Sequence, residues 1–499
     1  MLKNDFGVSC SCGRPVDIEK KFLHFCKKSA HGSQRQIFRP RIGRSMNFVR
    51  IYRLTFLELK MKRGFYSIMG AQFLSSLADN ALLIAAIALL TQQNAPDWMT
   101  PLLKLFFVLS YICLAAYVGL FADSMPKGRV MFYTNMLKVG GCLLMLFGSH
   151  PLLAYAVVGI GAAAYSPAKY GILTELLPPV KLVLANSWIE GLTVASIILG
   201  VVLGGVLIND AVACTILASG FPFEALGIAT PAQAAIAFIV LVYMGAAAVN
   251  LLIPDTGARY PKADFHPIQT LKTFYKSCSI LWTDRLGQIS LSVTTLFWGA
   301  GAVLQFLVLK WAEYALGMDL SQGAILQAVV SVGIAIGAVL AAQLVSLKDS
   351  LKVLPMGILM GVLVTGAAYF EQSMMPAGGI EIAGFMVTWA MWVAGAIMVV
   401  VGICAGFFVV PMNALLQHRG YVLMSAGKSI AVQNFNENLS ILVMLGIYSL
   451  LITMNLSVPT TMLIFGSFVM VSMLLVILKH RKNQREYDST HLIGEEKRH

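Results

Sequence analysis

Long apolar segments recur along this chain, and they constrain its fold more than any other feature. Twelve of them lie near residues 66–90, 101–122, 130–148, 151–173, 186–208, 231–253, 289–312, 323–346, 352–370, 383–408, 429–453 and 458–479. A helix needs about 20 apolar residues to cross the hydrocarbon core of a bilayer. Spanning structures are helices or closed barrels, and a barrel would show short alternating segments instead. The sequence therefore predicts an all-α integral membrane protein with twelve transmembrane helices.

Composition agrees with a membrane protein and argues against a nucleic-acid partner. Of the 499 residues, 58% are hydrophobic and only 12% are charged, whereas soluble domains carry about 25% charged residues. The net charge is +13. Most of it lies in residues 1–60, so it does not form a basic surface on the apolar body.

Residues 1–60 lack the apolar core and cleavage site of a secretory signal. We expect a basic disordered tail there or an overlong gene start, with the body beginning near Met61. Cys10 and Cys12 have no second pair at zinc-finger spacing, so no metal site is expected.

The positive charge of the loops alternates along the chain. Loops that follow even-numbered segments are basic, and the others are nearly free of positive charge. The positive-inside rule then places both termini and the 254–288 loop in the cytoplasm. Six segments, a basic loop and six more segments are typical of a two-halved transporter. We predict an N-terminal bundle at 61–253, a cytoplasmic linker at 254–288, a C-terminal bundle at 289–480 and a charged tail at 481–499.

Ionisable side chains lie inside several apolar segments, where a charge costs roughly 2.5–3.5 kcal/mol. They are Asp79, Lys169, Glu190 and Glu437. Each shares a helical face with other polar residues, as Gln433 does with Glu437. We expect these groups to face a common polar cavity, with Asp79 meeting Lys169 or another polar partner. The alternative is structural: each residue could hold helices together through an ion pair or hydrogen bond.

No enzymatic site is visible in the sequence. Ala426-Gly427-Lys428-Ser429 resembles the end of a phosphate loop, but the required first glycine is Val422 and no soluble strand precedes it. No convergent acid/base or metal set stands out. The chain is therefore predicted not to be an enzyme and to need no cofactor.

The loop between the second and third segments carries a recognisable pattern, Gly119-Leu-Phe-Ala-Asp123-Ser-Met-Pro-Lys127-Gly128-Arg129. It resembles the loop signature of the major facilitator superfamily, with one inserted residue and with Ser124 at a usually basic position. Asp123 near a helix N-terminus would be favoured by the helix dipole. The basic pair would latch the cytoplasmic face when it is closed.

Longer stretches resemble the bacterial lysophospholipid transporters of that superfamily. They are AQFLSSLADNALL (71–83), FADSMPKGRV (121–130), GIGAAAYSPAKYGIL (159–173), TLFWGAG (295–301), GFFVVPMNALLQHRG (406–420) and AVQNFNENLSILVMLGIYSL (431–450). Together they cover the apolar body from about residue 61 to 480.

The resemblance implies two six-helix, pseudo-symmetric bundles working by alternating access in a bacterial inner membrane. The cargo would be lysophosphatidylethanolamine and lysophosphatidylglycerol, moved from the outer to the inner leaflet by a monomer. An acyltransferase/acyl-carrier-protein synthetase would then re-acylate them. A proton-coupled exporter of drugs or small metabolites is the rival function, since the fold alone does not exclude it.

The same resemblance assigns substrate-binding or gating roles to matched positions. These are Asp79, Asn80, Lys169, Glu190, Gln305, Gln433, Asn434, Glu437 and Asn438. Gln305 is a departure, because the family can carry an arginine there. The resemblance therefore does not carry recognition of the headgroup phosphate by the seventh segment over to this chain.

Overall fold

The computed structural model describes residues 63–96, 99–217, 228–260, 266–318, 320–382 and 385–495. The predictions for the tail at 1–60 lie outside these residues. Within them, twelve long helices carry the apolar segments: α1 (Arg63–Gln92), α2 (Met99–Ser124), α3 (Lys127–Leu146), α4 (Pro151–Leu176), α5 (Leu182–Leu207), α7 (Pro231–Leu251), α9 (Gly287–Leu316), α10 (Leu320–Leu344), α11 (Leu354–Ala367), α12 (Trp389–Leu423), α13 (Ala426–Thr453) and α14 (Val458–Glu486). The predicted all-α membrane fold is confirmed.

Several shorter elements connect the long helices. They are α6 (Asp210–Leu217), α8 (Pro267–Thr283), an antiparallel hairpin of β1 (Gly379–Ile382) and β2 (Phe385–Thr388), and 3-10 turns at Pro179–Lys181, Leu347–Val353, Gln372–Met374 and Thr490–Leu492. The sequence pattern predicted neither α8, which lies inside the expected linker, nor the hairpin.

Helix α3 is the one of these twelve described helices that falls short of the apolar character of a typical membrane span. The other eleven described helices, with a preceding turn where one is present, are long and apolar enough to cross a membrane. Lys138 and Asn135 lie in the middle of α3 and lower its hydropathy, yet both are buried. A helix of this kind needs polar partners from its neighbours.

The long helices pack as two groups. In the N-terminal group (α1–α7), α1 packs on α5 and α7, and α3 packs on α4 and α7. In the C-terminal group (α9–α14), α9 packs on α13, and α11 on α14. The groups meet where α2 and α4 contact α13 and where α5 contacts α10 and α12. The residue boundaries predicted for the two halves stay a prediction.

Helices α10 and α12 approach each other most closely. Gly333 and Gly337 on α10 face Gly402 and Gly406 on α12. A Cβ atom on Gly337 would collide with the carbonyl oxygen of Ile403. Small residues four apart let membrane helices pack backbone to backbone, so this contact fixes α10 and α12 as one unit.

We call the end of the bundle that carries Lys127, Arg285 and Arg419 the basic end. There, Arg419 at the end of α12 donates two hydrogen bonds to Asp284, at 2.8 and 3.0 Å. The same carboxylate accepts from the backbone N–H of Gly287 in the first turn of α9, at 2.8 Å. The segment after α14 returns to this end, where the Gly494 N–H donates to His418 at 3.0 Å.

Candidate transport pathway

Asp79 lies in the middle of α1, and its partner is Lys138 of α3. The Lys138 ammonium is 2.8 Å from Oδ1 and 2.9 Å from Oδ2 of Asp79. The Lys138 side chain is 1% exposed, whereas that of Asp79 is 22% exposed. Burial of a lysine at this depth is tolerable because an opposite charge is in direct contact.

The surrounding side chains complete the coordination of this pair. Lys138 donates its remaining hydrogen bond to Ser75 at 3.0 Å, and Ser75 donates to Asn135 at 2.8 Å. The Tyr243 hydroxyl of α7 donates to Asp79 at 2.6 Å. Lys138 therefore has no free donor for a ligand, while Asp79 keeps an open side.

Lys169 on α4 is in a different situation. It is half-buried, and its ammonium lies 4.3 Å from the ring centroid of Tyr170. Among the described residues it has no ion pair within 4 Å, although it interacts electrostatically with Glu190 and Asp79. Lys169 is thus a cation that can accept an anionic group, which Lys138 cannot.

Glu190 and Glu437 belong to one chain of hydrogen bonds between the two groups of helices. Asn413 of α12 donates to Glu190 of α5 at 3.4 Å. Gln433 of α13 donates to both Asn413, at 3.1 Å, and Glu437, at 2.8 Å. The two carboxylates are therefore joined through two amides, and both are buried.

Three further hydrogen bonds cross between the groups nearer the basic end. Asn186 and Gln417 exchange a reciprocal pair, each bond 2.9 Å long. Asn434 donates to Ser166 at 2.9 Å. All four side chains are buried. Amides that bond each other in this way close the interface without any charged group.

The loop signature forms the outermost contact at the basic end. The Asp123 carboxylate accepts from the backbone N–H of Gly427 at 3.0 Å, in the first turn of α13. An acidic group at this position is favoured by the partial positive charge of the helix N-terminus. Gly119 lies directly under α13, because a Cβ there would be 3.0 Å from that of Ala431.

Lys127 holds the signature to the neighbouring helix ends. Its ammonium lies 2.6 Å from Asp123 and 3.4 Å from Glu175 at the end of α4. Glu175 also accepts from Tyr260, at 2.8 Å, in the segment after α7. Burial, reinforced by the Glu175 carboxylate, raises the pKa of the Tyr260 hydroxyl. The phenol thus stays a neutral donor.

The remaining signature residues do not join this contact network. Gly128 packs under α7, where a Cβ would be 2.9 Å from the carbonyl oxygen of Asn250. Arg129 is exposed, and the described residues give it no ion pair within 4 Å. Lys127 therefore holds Asp123 from within the N-terminal group, and Asp123 makes the contact between the groups. The latch role expected of the basic pair stays a prediction.

An apolar cavity of about 220 Å³ lies within the C-terminal group, between α9, α10, α11, α12 and α14. Its polar lining comes from Gln305, Gln327 and Ser331, and the other lining residues are apolar, aromatic or glycine. Gln327 donates to the backbone carbonyl of Gln305 at 3.3 Å. Gln305 thus lines this cavity and makes no described hydrogen bond with the Glu190–Glu437 chain.

Two predicted residues make only local hydrogen bonds in this structure. Asn80 donates to the carbonyl oxygen of Ser76, and Asn438 to that of Asn434, both at 2.8 Å. Neither reaches the other group of helices through a described hydrogen bond.

Sequence reasoning missed Lys138, Tyr243, Asn413 and Gln417. Lys138 carried a usable signal, because it is a lysine in the middle of an apolar segment, one turn from Asn135. Asn413 and Gln417 also had a signal, since they are four residues apart on one helical face. Tyr243 had none, because one tyrosine in an apolar helix is common at a membrane interface.

Comparison with known proteins identifies the fold family. A family model of the Major Facilitator Superfamily matches residues 68–443. The chain belongs to the major facilitator superfamily. Solved structures with the same fold include the transporter FucP in the outward conformation, with a TM-score of 0.59 and 16% identity over 84% of this chain and 98% of that one. The human organic anion transporter MFSD10 gives a TM-score of 0.61 and 13% identity over 85% of this chain and 100% of that one.

Closer relatives narrow the family within this superfamily. The chain is 42% identical to the lysophospholipid transporter LplT of Yersinia enterocolitica, over 80% of this chain and 89% of that protein. It is also 42% identical to LplT of Serratia proteamaculans, over 78% of this chain and 89% of that protein. This major facilitator superfamily protein is therefore a membrane transporter of the lysophospholipid transporter family and not an enzyme.

Proposed function

We propose that the protein carries lysophosphatidylethanolamine and lysophosphatidylglycerol from the outer to the inner leaflet of a bacterial inner membrane. The basic end would face the cytoplasm, where an acyltransferase/acyl-carrier-protein synthetase re-acylates the product. The observation that carries this proposal is the 42% identity to lysophospholipid transporters over most of both chains.

The polar residues supply what a lysolipid headgroup needs. Lys169 has no carboxylate in direct contact among the described residues, so it would take the phosphate. Asp79 has an open side and would take the ammonium of an ethanolamine headgroup, with Lys138 holding the carboxylate in place. Glu437 is the second acceptor for an ammonium once its bond to Gln433 opens.

The acyl chain requires an apolar site, because burying a methylene group is worth about 0.8 kcal/mol. The cavity in the C-terminal group offers such a site. Gln305, at its polar edge, would meet the glycerol and phosphate region with a neutral amide. This arrangement leaves the phosphate charge to Lys169.

The contacts at the basic end support alternating access. Three layers of hydrogen bonds join the two groups there: Asp123–Gly427, Asn186–Gln417 and Glu190–Asn413. They close the pathway toward the basic end. Transport would break these layers as the two groups rock against each other.

Transport by the purified protein in vesicles tests the proposal. Labelled lysophospholipid is added to the outer leaflet, and the fraction that albumin can no longer extract is measured over time. We expect Asp79→Ala to abolish protection of the label, while Glu313→Ala, which removes an exposed carboxylate, transports normally. Transport of dyes or metabolites but not of lysophospholipid would show a different cargo.

A further inference from the structure

Helix α8 lies across the seam at which the two groups of helices meet. It packs on both α2 and α13, and its residues Thr270, Phe274 and Ser277 line one small pocket together with Ala116 of α2 and Ala431 of α13. Phe274 packs into the apolar cluster formed by Val118, Ala164 and Ala431. One side chain of α8 thus contacts both groups at once.

The contacts with α13 show on which side of the bundle α8 lies. The Phe274 ring meets that of Phe435 edge-on at 5.4 Å, and the Trp282 indole N–H donates to Asn436 at 3.2 Å. Farther along the same face of α13 are Leu439 and Val443, which are exposed. Exposed leucine and valine on a spanning helix face lipid, so α8 covers the lipid-facing side of α13.

The depth of these contacts places α8 at the membrane surface. Asn436 lies ten residues into α13, about 15 Å from its start at the basic end. The helix has 28 residues and is about 42 Å long, so it exceeds the roughly 30 Å hydrocarbon core. Centred on that core, α13 extends about 6 Å beyond it on each side. Helix α8 contacts α13 from Ala431 to Asn436, about 7–15 Å from its start, so α8 lies among the outer acyl carbons just below the headgroups.

The outward face of α8 combines apolar, aromatic and basic side chains. Ile268, Leu271, Tyr275 and Trp282 are exposed, with Tyr275 78% exposed. Lys272 and Lys276 are exposed on the same side and, among the described residues, have no ion pair within 4 Å. Apolar and aromatic residues interleaved with lysine are typical of helices that lie in a membrane interface.

From this arrangement we infer that α8 is a binding surface for anionic phospholipid of the leaflet at the basic end. Its apolar side chains enter the acyl region, and Lys272 and Lys276 pair with two lipid phosphates. Because Phe274 of the same helix plugs the seam between α2 and α13, lipid bound to α8 stabilises the closed seam.

Lipid binding can be measured without transport, by the immobilised fraction of spin-labelled phosphatidylglycerol around the protein in phosphatidylcholine vesicles. Each lysine near an anionic membrane surface changes the affinity of a protein for that surface by about fivefold. We expect Lys272→Gln/Lys276→Gln to weaken phosphatidylglycerol binding roughly thirtyfold. The matched control Lys348→Gln/Lys352→Gln removes two exposed lysines elsewhere at the basic end and leaves binding unchanged. Equal effects of both double variants, or none, would overturn the inference.

A second measurement locates the face directly. A nitroxide is attached at Tyr275→Cys in a transport-active variant without native cysteines. Its collision rates with oxygen, which partitions into lipid, and with a water-soluble nickel chelate are then measured. Preferential collision with oxygen is expected. Preferential collision with the chelate would place the face in water, as for a protein-docking surface, and would refute the lipid assignment even if lysophospholipid transport is normal.

Discussion

The Asp79–Lys138 ion pair allows a prediction in which two damaging substitutions correct each other. The Lys138 side chain is 1% exposed and has all its hydrogen-bond donors engaged. Removing one partner of a buried pair costs about 3–5 kcal/mol, because the other charge is left without compensation. Substituting both partners with apolar residues is often nearly neutral.

The two single variants should differ in how much free energy of unfolding they lose. Lys138→Met leaves Asp79 with the Tyr243 hydroxyl and partial access to water, so the loss should be near the lower end, about 3 kcal/mol. Asp79→Leu leaves an ammonium with almost no exposure, so the loss should approach about 5 kcal/mol. The double variant Lys138→Met/Asp79→Leu should recover most of the stability.

Unfolding in mixed detergent micelles at increasing dodecyl sulfate, followed by tryptophan fluorescence, measures these free energies. The double variant should recover stability without recovering transport, since Asp79 is lost as a ligand. If its loss instead equals the sum of the two single losses, Asp79 and Lys138 do not compensate each other, and the interpretation of the pair is wrong.

Three other substitutions follow from contacts described above. Asp123→Asn weakens the charged contact with the N-terminus of α13, which is worth about 0.3–1 kcal/mol. The distance between nitroxides at Val180 and Lys348 should then show a larger population of long values. An unchanged distance distribution would contradict the role of Asp123 in holding the basic end closed. Asn186→Ala leaves the buried side-chain amide of Gln417 without its partner, which costs about 1–3 kcal/mol. Thermal stability should fall, and adding Gln417→Ala should lower it little further. Additive losses in the double variant would contradict the pairing. Gly337→Ala forces α10 away from α12 and should cost about 1–3 kcal/mol in the dodecyl sulfate unfolding assay. The control is Gly395→Ala, whose added Cβ meets open space. Equal stabilities of the two variants would show that the close packing of α10 and α12 is unimportant.

The spanning helices were predictable because hydrocarbon imposes length and composition on every crossing segment. The helix pairs that meet across the interface were not, since no periodicity says which helices become neighbours. Asp79 illustrates the difference: its cost at mid-membrane pointed to a partner, but the identity of that partner, Lys138 on α3 and not Lys169, depends on how α1 and α3 pack.

Helix α8 and the β1–β2 hairpin escaped prediction for different reasons. The alternating polar and apolar residues of α8 look like a solvated loop when no neighbour is known, whereas the apolar residues of β2 were counted into the predicted segment 383–408. Phe274 has a structural role because α2 and α13 lie on either side of it. Asp123 was expected near a helix N-terminus from the loop pattern, but the helix it contacts is α13 and not α3, which follows it in the chain; this contact too depends on how the helices pack.

The Asp79–Lys138 pair also determines what the membrane voltage can act on. Moving one elementary charge through 100 mV changes its energy by about 2.3 kcal/mol. Opposite charges less than 3 Å apart within one group of helices move together as a small dipole when that group rocks. This pair therefore adds almost no gating charge, unlike Lys169, which has no opposite charge in direct contact among the described residues.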